Sequence, residues 1–188
     1  MKTLALHSID KVDHLVQPEE FQEVTLHSSA LDIFTDFKKH RALMIDANTL
    51  AVEAEQEMIR SHVKMKLVVD EDKEFVGLIS FDDIASQNIV KLVANGYQRS
   101  ELTVADLMTP RSMIKALNYE DVAHANIANL IDTLQLNGVQ HCLVVDSEKH
   151  HIRGVISASD IARKLKLSIS VNKAPSFVDI FRVIRGSF

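Results

Sequence analysis

The stretch GLISFDDIA at Gly77–Ala85 returns in the second half of the chain as GVISASDIA at Gly154–Ala162. An LVVD run precedes each copy, at Leu67–Asp70 and at Leu143–Asp146. The order of these stretches is the same in both halves. Self-similarity of this kind indicates a repeat architecture, so we take the chain as two copies of one structural unit.

The repeat also extends upstream of the LVVD runs. DIFT at Asp32–Thr35 parallels DLMT at Asp106–Thr109. The second copy has one additional residue in the polar stretch Ser147–His151, where the first copy has Glu71–Glu74. A hairpin loop between two strands tolerates such an insertion. Each unit therefore spans about sixty residues.

Periodicity predicts a helix inside each unit. In the second unit four apolar residues recur at helical spacing, namely Ile127, Leu130, Ile131 and Leu134. Gly138 follows as the predicted C-terminal stop of this helix. In the first unit Thr49 is the candidate N-cap. The inward face of that helix carries Ala51, Ala54 and Met58.

Short apolar runs rich in β-branched residues predict the strands. In the second unit they are Leu143–Val145 and Gly154–Ile156, each bounded by polar turns. The resulting order is strand, helix, strand, strand, helix. Helices cover one face of such a sheet and leave the other face apolar. We therefore predict an α/β (α+β) fold in which two pseudo-symmetric β-α-β-β-α units pack sheet to sheet.

Four segments follow from this division. They are an N-terminal extension packed on the first repeat (1–24), the first repeat with a linking helix at Asn88–Ala94 (25–100), the second repeat (101–166) and a C-terminal tail (167–188). The tail contains an amphipathic helix whose apolar face is Phe177, Ile180, Phe181 and Ile184. Three roles stay open for this helix: it covers the chain's own core, docks on a twin subunit or another protein, or contacts a membrane.

Composition limits the partners. A formal net charge of -5 disfavours a surface that neutralises nucleic-acid phosphates. The single cysteine, Cys142, cannot form an intrachain disulfide, which fits a reducing compartment. The N-terminus lacks a secretory signal, and no stretch approaches the roughly 18 to 20 apolar residues of a membrane helix. We expect a cytoplasmic protein with neither a nucleic-acid nor a membrane partner.

These residues resemble CBS domains, units of about sixty residues that occur in pairs called Bateman modules. The resemblance covers Val24–Leu165. It rests on the doubled Gly-h-h-Ser-x-x-Asp pattern, the two LVVD runs, DLMTP at Asp106–Pro110 and NGV at Asn137–Val139. Leu67 and Leu143 stand where the family often has proline, and Phe34–Asp36 replaces Met-Thr-Pro. The resemblance implies a free-standing bacterial module of the regulatory kind.

The motifs Ser80-x-x-Asp83 and Ser157-x-x-Asp160 stand where a strand gives way to a helix. One interpretation is a capping box, in which serine and acid satisfy the free N–H groups of the first helical turn. The resemblance implies a second interpretation. There the aspartate holds ribose hydroxyls and the serine approaches a phosphate, which a helix N-terminus also favours. Both interpretations stay open.

The resemblance implies further ligand contacts at five positions. Lys64 and His141 precede the LVVD strands, Lys164 follows the second aspartate by one helical turn, and Thr35 and Thr109 lie on the opening strands. The pockets of the family form between the two units. We therefore predict that these residues line clefts between the repeats.

Other reactive residues give weaker signals. His150 and His151 have no carboxylate or cysteine at metal-ligand spacing, so we predict a solvated turn and no metal site. Cys142 precedes an apolar strand, which indicates a buried, inert thiol. No nucleophile, base and orienting acid come together, and no glycine-rich phosphate loop occurs. We expect no enzymatic activity and no required cofactor.

The predicted function is a regulatory module that senses an adenosine-containing nucleotide of the AMP, ADP or ATP kind in clefts between the units. Binding would signal through changed packing of the two units. We expect a homodimer that acts on a downstream protein. The alternative is a scaffold without a ligand that acts through protein contacts. The sequence leaves open the identity of the ligand, the number of occupied sites and the downstream partner.

Overall fold

A computed structural model of the chain describes residues 8, 11, 23–85, 89, 96, 98, 100–136, 138–168 and 174–186. The strands are β1 (Phe34–Asp36), β2 (Met44–Asp46), β3 (Met65–Val69), β4 (Phe75–Ser80), β5 (Thr109–Pro110), β6 (Ala116–Asn118), β7 (His141–Asp146) and β8 (His151–Ser157). The helices are α1 (Ala51–Ser61), α2 (Phe81–Ala85), α3 (Val104–Leu107), α4 (Tyr119–His124), α5 (Ile127–Leu134), α6 (Ala158–Lys164) and α7 (Phe177–Arg185). Short 3-10 helices lie at Ala30–Ile33 and Arg111–Met113.

Each repeat builds a hairpin from its two central strands, β3 with β4 and β7 with β8. The aspartate that ends each LVVD run holds the turn. Asp70 Oδ1 accepts from the Glu74 N–H at 2.9 Å, and Asp146 Oδ1 accepts from the Lys149 N–H at 3.1 Å. Side chains that bond to nearby backbone N–H groups stabilise turns in this way. The repeated aspartate therefore has a local structural role.

The opening strands cross between the repeats. The sheet orders are β2-β3-β4-β5 and β1-β8-β7-β6. Thus β1, which opens the first repeat, pairs antiparallel with β8 of the second repeat, and β5, which opens the second, pairs antiparallel with β4 of the first. Each four-stranded sheet is completed by a strand from the other repeat. The two units are joined by hydrogen bonds as well as by packing.

Two glycines of the repeated pattern make room for this exchange. A Cβ on Gly154 would lie 2.2 Å from the carbonyl oxygen of Thr35 and 2.4 Å from the ring of Phe34. A Cβ on Gly77 would lie 2.7 Å from the carbonyl oxygen of Thr109. No Cβ fits at such distances unless the crossing strand moves away. Glycine therefore begins both patterns because a strand of the other repeat passes directly over it.

An ion pair fixes the end of β1 on β8. Arg153 donates from Nε to Asp36 Oδ1 at 2.9 Å and from Nη2 to Asp36 Oδ2 at 2.6 Å. Its guanidinium also lies 4.3 Å from the ring centroid of Tyr119. The hydrogen bond from Arg153 lowers the pKa of the buried Asp36 carboxyl. Bidentate pairing of this kind fixes orientation as well as distance.

The cores follow the predicted pattern. The faces predicted from periodicity are buried in both repeats, at Ala51, Ala54, Met58, Ile127, Leu130, Ile131 and Leu134. A third cluster lies between the sheets and centres on Leu67, Leu143 and Val155. Because this cluster joins strands of both sheets, the prediction of two units packed sheet to sheet is confirmed.

The C-terminal helix α7 covers the chain's own core. Phe177 and Ile180 are fully buried in the cluster of the second repeat, and α7 packs against α5 and α6. At the far end of the helix, Arg185 Nη2 donates to Asp132 Oδ1 at 3.0 Å. Three roles were left open for this helix, and the structure shows the first of them, coverage of the chain's own core. Among the described residues, no helix combines the length and the apolar character that a membrane crossing requires.

Some local predictions were wrong or lie outside the described residues. Helix α1 begins after Leu50, so Thr49 is not its N-cap, and α5 ends four residues before Gly138. The predicted linking helix lies outside the described residues except for Ile89. So does the N-terminal extension except for residues 8, 11, 23 and 24. Val24 packs against the core of the second repeat.

Gly154→Ala tests the strand exchange. We expect it to lower the free energy of unfolding by about 3 kcal/mol or more, because its Cβ overlaps a backbone oxygen. Gly77→Ala should cost about 1 to 3 kcal/mol, since part of its overlap is with the flexible Met108 side chain. Gly138→Ala is the control, because nothing lies within 4 Å of the position that its Cβ would take. Urea unfolding measures all three, and equal stabilities for Gly154→Ala and Gly138→Ala would contradict the exchange.

Candidate functional site

A cavity of about 650 Å³ lies between the repeats. The first repeat contributes Met65, Leu78, Ser80, Asp82 and Asp83. The second repeat contributes β5, the segment 113–117, the end of α5 and the segment 138–142. Sites for drug-sized ligands commonly have volumes of about 300 to 1,000 Å³. We call this space the inter-repeat cavity.

Ser80 and Asp83 form a complete capping box at the edge of this cavity. The Ser80 N–H and hydroxyl both donate to Asp83 Oδ2, at 2.8 and 2.6 Å, and the Asp83 N–H donates to Ser80 Oγ at 3.2 Å. The capping interpretation of this motif is therefore present in the structure. Capping does not exclude ligand contact, because a carboxylate has several acceptor sites.

Among the described residues, a capping box that pairs Ser or Thr with Asp occurs at two other places, both away from the cavity. Thr103 and Asp106 form it before α3, and Ser176 and Asp179 form it before α7. Neither pair lines the inter-repeat cavity. Capping alone thus does not mark a ligand site in this chain. The feature that sets Ser80 and Asp83 apart is their position at the cavity.

His141 lines the opposite wall as a neutral side chain. Burial lowers its pKa to about 4, although the carboxylates of Asp160 and Asp82 act in the opposite direction. At pH 7 the imidazole is uncharged. The sequence gives no sign of the desolvation that keeps this imidazole neutral. In the structure it is a hydrogen-bonding group and not a cation.

Besides Asp83, two charged residues line the cavity that were not among the predicted site residues. Asp82 adds a second carboxylate beside Asp83, and Lys115 is the single cation among the described lining residues. Gln140 Nε2 donates to Asp82 Oδ2 at 2.7 Å and to the carbonyl oxygen of Ala174 at 3.2 Å. Lys115 falls just before the short strand β6, for which no local pattern is present in the sequence.

A second cleft of about 270 Å³ lies at the other signature motif. Thr35, Asp160 and Lys164 line it, together with His40 and Arg163. Here Asp160 Oδ1 accepts from Arg163 Nη2 at 2.5 Å, and the Ser157 side chain makes no capping bond. The two copies of the motif have the same residue types and different local bonding.

The nine predicted site residues therefore divide into three groups. Ser80, Asp83, Thr109 and His141 meet in the inter-repeat cavity, and Thr35, Asp160 and Lys164 meet in the second cleft. Ser157 and Lys64 line neither space. The Lys64 ammonium lies 4.5 Å from the centroid of the Phe81 ring, a cation–π contact.

The remaining reactive residues lie apart from any metal-binding arrangement. Within the described part of the chain, no group of three or more His, Cys, Asp or Glu residues is placed to hold a metal ion. His150 lies in the exposed hairpin turn at φ 54°. Cys142 is buried in the cavity wall, and burial raises the pKa of its thiol to about 11. A thiol with so high a pKa is a poor nucleophile at pH 7.

Comparison with known families agrees with this double architecture. The family model described as CBS domain matches twice, at residues 30–88 and 104–167. The chain belongs to the CBS domain family. Its two matched regions coincide with the two repeats. No functionally curated protein matches the sequence.

Solved structures with the same fold include other CBS proteins. One is a conserved CBS domain protein of unknown function from Thermoplasma acidophilum, with TM-score 0.52, 21% identity and coverage of 81% of this chain and 77% of that one. Another is CBSX2 in complex with AMP, with TM-score 0.50, 19% identity and coverage of 72% and 94%. A third is the CBS domain pair of protein MJ0100 in complex with 5′-methylthioadenosine and S-adenosyl-L-methionine, with TM-score 0.50, 21% identity and coverage of 74% and 94%. At these identities the likeness concerns the fold.

His141→Gln tests the lowered pKa of this partly buried imidazole through the pH dependence of stability. The imidazole of His141 binds a proton near pH 6.5 in the unfolded chain and only near pH 4 in the folded protein. At pH 7 the imidazole is neutral in both states, so its titration does not change the free energy of unfolding. As the pH falls from 6.5 to 4, protonation of the unfolded state lowers the stability of the wild type by roughly 3 kcal/mol. Over this range the variant should gain stability relative to wild type in urea unfolding. Exposed His27→Gln is the control, and parallel curves for wild type and His141→Gln would contradict the burial.

Proposed function

We propose that this chain is a regulatory module that binds an adenosine-containing ligand in the inter-repeat cavity. The observation that carries the proposal is the cavity itself. Its volume of about 650 Å³ suits a nucleoside, and its walls combine apolar side chains with a few polar groups. The relatives CBSX2, in complex with AMP, and MJ0100, in complex with 5′-methylthioadenosine and S-adenosyl-L-methionine, support this class of ligand.

The lining suggests how such a ligand is held. Apolar Met65, Leu78 and Ile114 offer a surface for the adenine ring. In this proposal Asp83 accepts hydrogen bonds from the ribose hydroxyls, while its other lone pairs keep the cap to Ser80. A phosphate is disfavoured near α2, because both Asp82 and Asp83 lie in the first turn of that helix. A 5′-phosphate would therefore extend toward Lys115.

Ligand binding at this position would regulate through packing. The cavity is lined by both repeats, so an occupant contacts them together and favours one of their mutual arrangements. The role is regulatory and not catalytic in this proposal. The expected homodimer, cytoplasmic location and downstream protein remain predictions that belong to the same proposal.

A ligand-free scaffold is the second candidate function. One observation favours it, namely that Ser80 and Asp83 bond to each other in a capping box. In that case the motif only begins helix α2, and the protein acts through contacts with other proteins. The two functions differ in whether a nucleoside stabilises the fold.

Asp83→Asn separates ligand contact from capping. We expect AMP or 5′-methylthioadenosine to raise the Tm of the wild-type protein, since a ligand that binds only the folded state stabilises it. In Asp83→Asn this ligand-induced shift should be lost. Thermal shift and calorimetry measure both effects.

Asp106→Asn is the matched control for this experiment. It disturbs a second capping box of the same type, which Asp106 forms with Thr103 and which does not line the cavity. It should lower basal stability by about 1 kcal/mol and keep the full ligand-induced shift. Loss of the shift in both variants would show that capping alone is responsible. A flat response of the wild type to AMP, 5′-methylthioadenosine and S-adenosylmethionine would favour the scaffold.

Lys115→Gln tests the position of a 5′-phosphate. The variant should bind AMP about three- to fivefold more weakly, which corresponds to the loss of one exposed charge pair. Binding of 5′-methylthioadenosine, which has no phosphate, should change by less than about twofold. Calorimetry gives both affinities. An equal loss for the two ligands would place the phosphate elsewhere or assign Lys115 a structural role.

A further inference from the structure

The amide of Gln140 joins three parts of the molecule. Its Nε2 donates one hydrogen bond to Asp82 Oδ2 at 2.7 Å and one to the carbonyl oxygen of Ala174 at 3.2 Å. Asp82 lies on α2 of the first repeat, and Ala174 lies three residues before α7. Gln140 itself lines the inter-repeat cavity. An NH₂ group has two hydrogens, so this arrangement uses both of them.

The backbone around Gln140 reinforces the connection. The N–H of Phe177, the first residue of α7, donates to the carbonyl oxygen of Val139 at 3.1 Å. Val139 also lines the inter-repeat cavity. The wall of the cavity and the beginning of α7 are thus held by the same two consecutive residues. Any shift of this wall moves the anchor of the C-terminal helix.

A ligand in the cavity meets this connection directly. Asp82 and Gln140 are both polar lining groups, so an occupant that bonds to either one competes with the bond between them. That bond has a charged acceptor, which makes it the stronger of the two that Gln140 donates. When Asp82 turns to a ligand, the amide is free to reorient, and its bond to Ala174 changes with it.

We propose that Gln140 is a positioning residue that transmits occupancy of the inter-repeat cavity to the C-terminal helix α7. The proposal deepens the function proposed above and rests on it only for the effect of a ligand. The connection between Asp82 and α7 is present in the structure and is tested separately, in an experiment that needs no ligand. The output of the module is the strength with which α7 is docked on the second repeat.

The other end of α7 provides a matched control. Arg185 Nη2 donates to Asp132 on α5, at 3.0 and 3.2 Å to its two carboxylate oxygens. Neither residue lines the cavity. Arg185→Gln therefore loosens the same helix without touching the proposed path from the cavity.

The first experiment uses the ligand-free protein. Hydrogen exchange of the α7 amides should become about three- to tenfold faster in Gln140→Leu and in Asp82→Ala, while amides of α1 stay unchanged. Asp82 belongs to the first repeat, so an effect on α7 requires the connection through Gln140. Arg185→Gln should also accelerate exchange in α7, which establishes the sensitivity of the measurement. Unchanged α7 exchange in Asp82→Ala would overturn the proposal.

The second experiment adds saturating AMP or 5′-methylthioadenosine. In the wild type, and in Arg185→Gln, binding should change α7 exchange by at least about twofold. For Gln140→Leu, calorimetry gives the probe concentration that saturates the variant, and α7 exchange at that concentration should no longer respond. Binding to the wild type without any response of α7, or an equal response in Gln140→Leu, would overturn the proposal. If neither probe binds the wild type, the proposed function fails, and the ligand-free experiment still decides the connection.

Discussion

The close passage of one repeat's opening strand over the other repeat's glycine is the constraint on which the rest of the structure depends. The carbonyl oxygens of Thr35 and Thr109 come so near to Gly154 and Gly77 that a single added carbon has no space. This contact lets β1 of the first repeat complete the sheet of the second repeat, and β5 of the second repeat complete the sheet of the first. Close backbone approach is one of the few functions in a strand that glycine alone performs. The glycine that begins both copies of the repeated pattern is thus required for a direct steric reason.

The same exchange creates the candidate site. Thr109 of the second repeat lies opposite Leu78 of the first because β5 pairs with β4. The Ser80–Asp83 box follows at the end of β4, so residues of both repeats meet around one cavity. The second crossing strand, β1, brings Thr35 toward Asp160 in the same manner. The two spaces differ in volume because their remaining walls differ, and the pseudo-symmetry of the fold does not extend to its sites.

Periodicity predicted the elements well, because burial imposes it along whole helices and strands. The face of α5 and the order of elements in each unit could be obtained in this way. The partners of β1 and β5 could not, since strands of three and two residues carry no period and their pairing is non-local. The site was predictable only in part for the same reason. Ser80 and Ser157 stand in the same motif and bond differently, and the charge of His141 depends on burial that no local pattern encodes.

The crossing of β1 also sets an order in time during synthesis. Asp36 and Arg153, which the exchange brings together, are 117 residues apart in the chain. Contacts between such distant residues form late in folding, because a long loop must close before they can contribute. A nascent chain therefore has β1 with an unpaired edge until β8 has been translated. The sheet that contains β2, β3 and β4 is likewise incomplete until β5 has been translated. Each sheet therefore obtains its full set of strands only after part of the other repeat has been made, and we expect the two repeats to fold together.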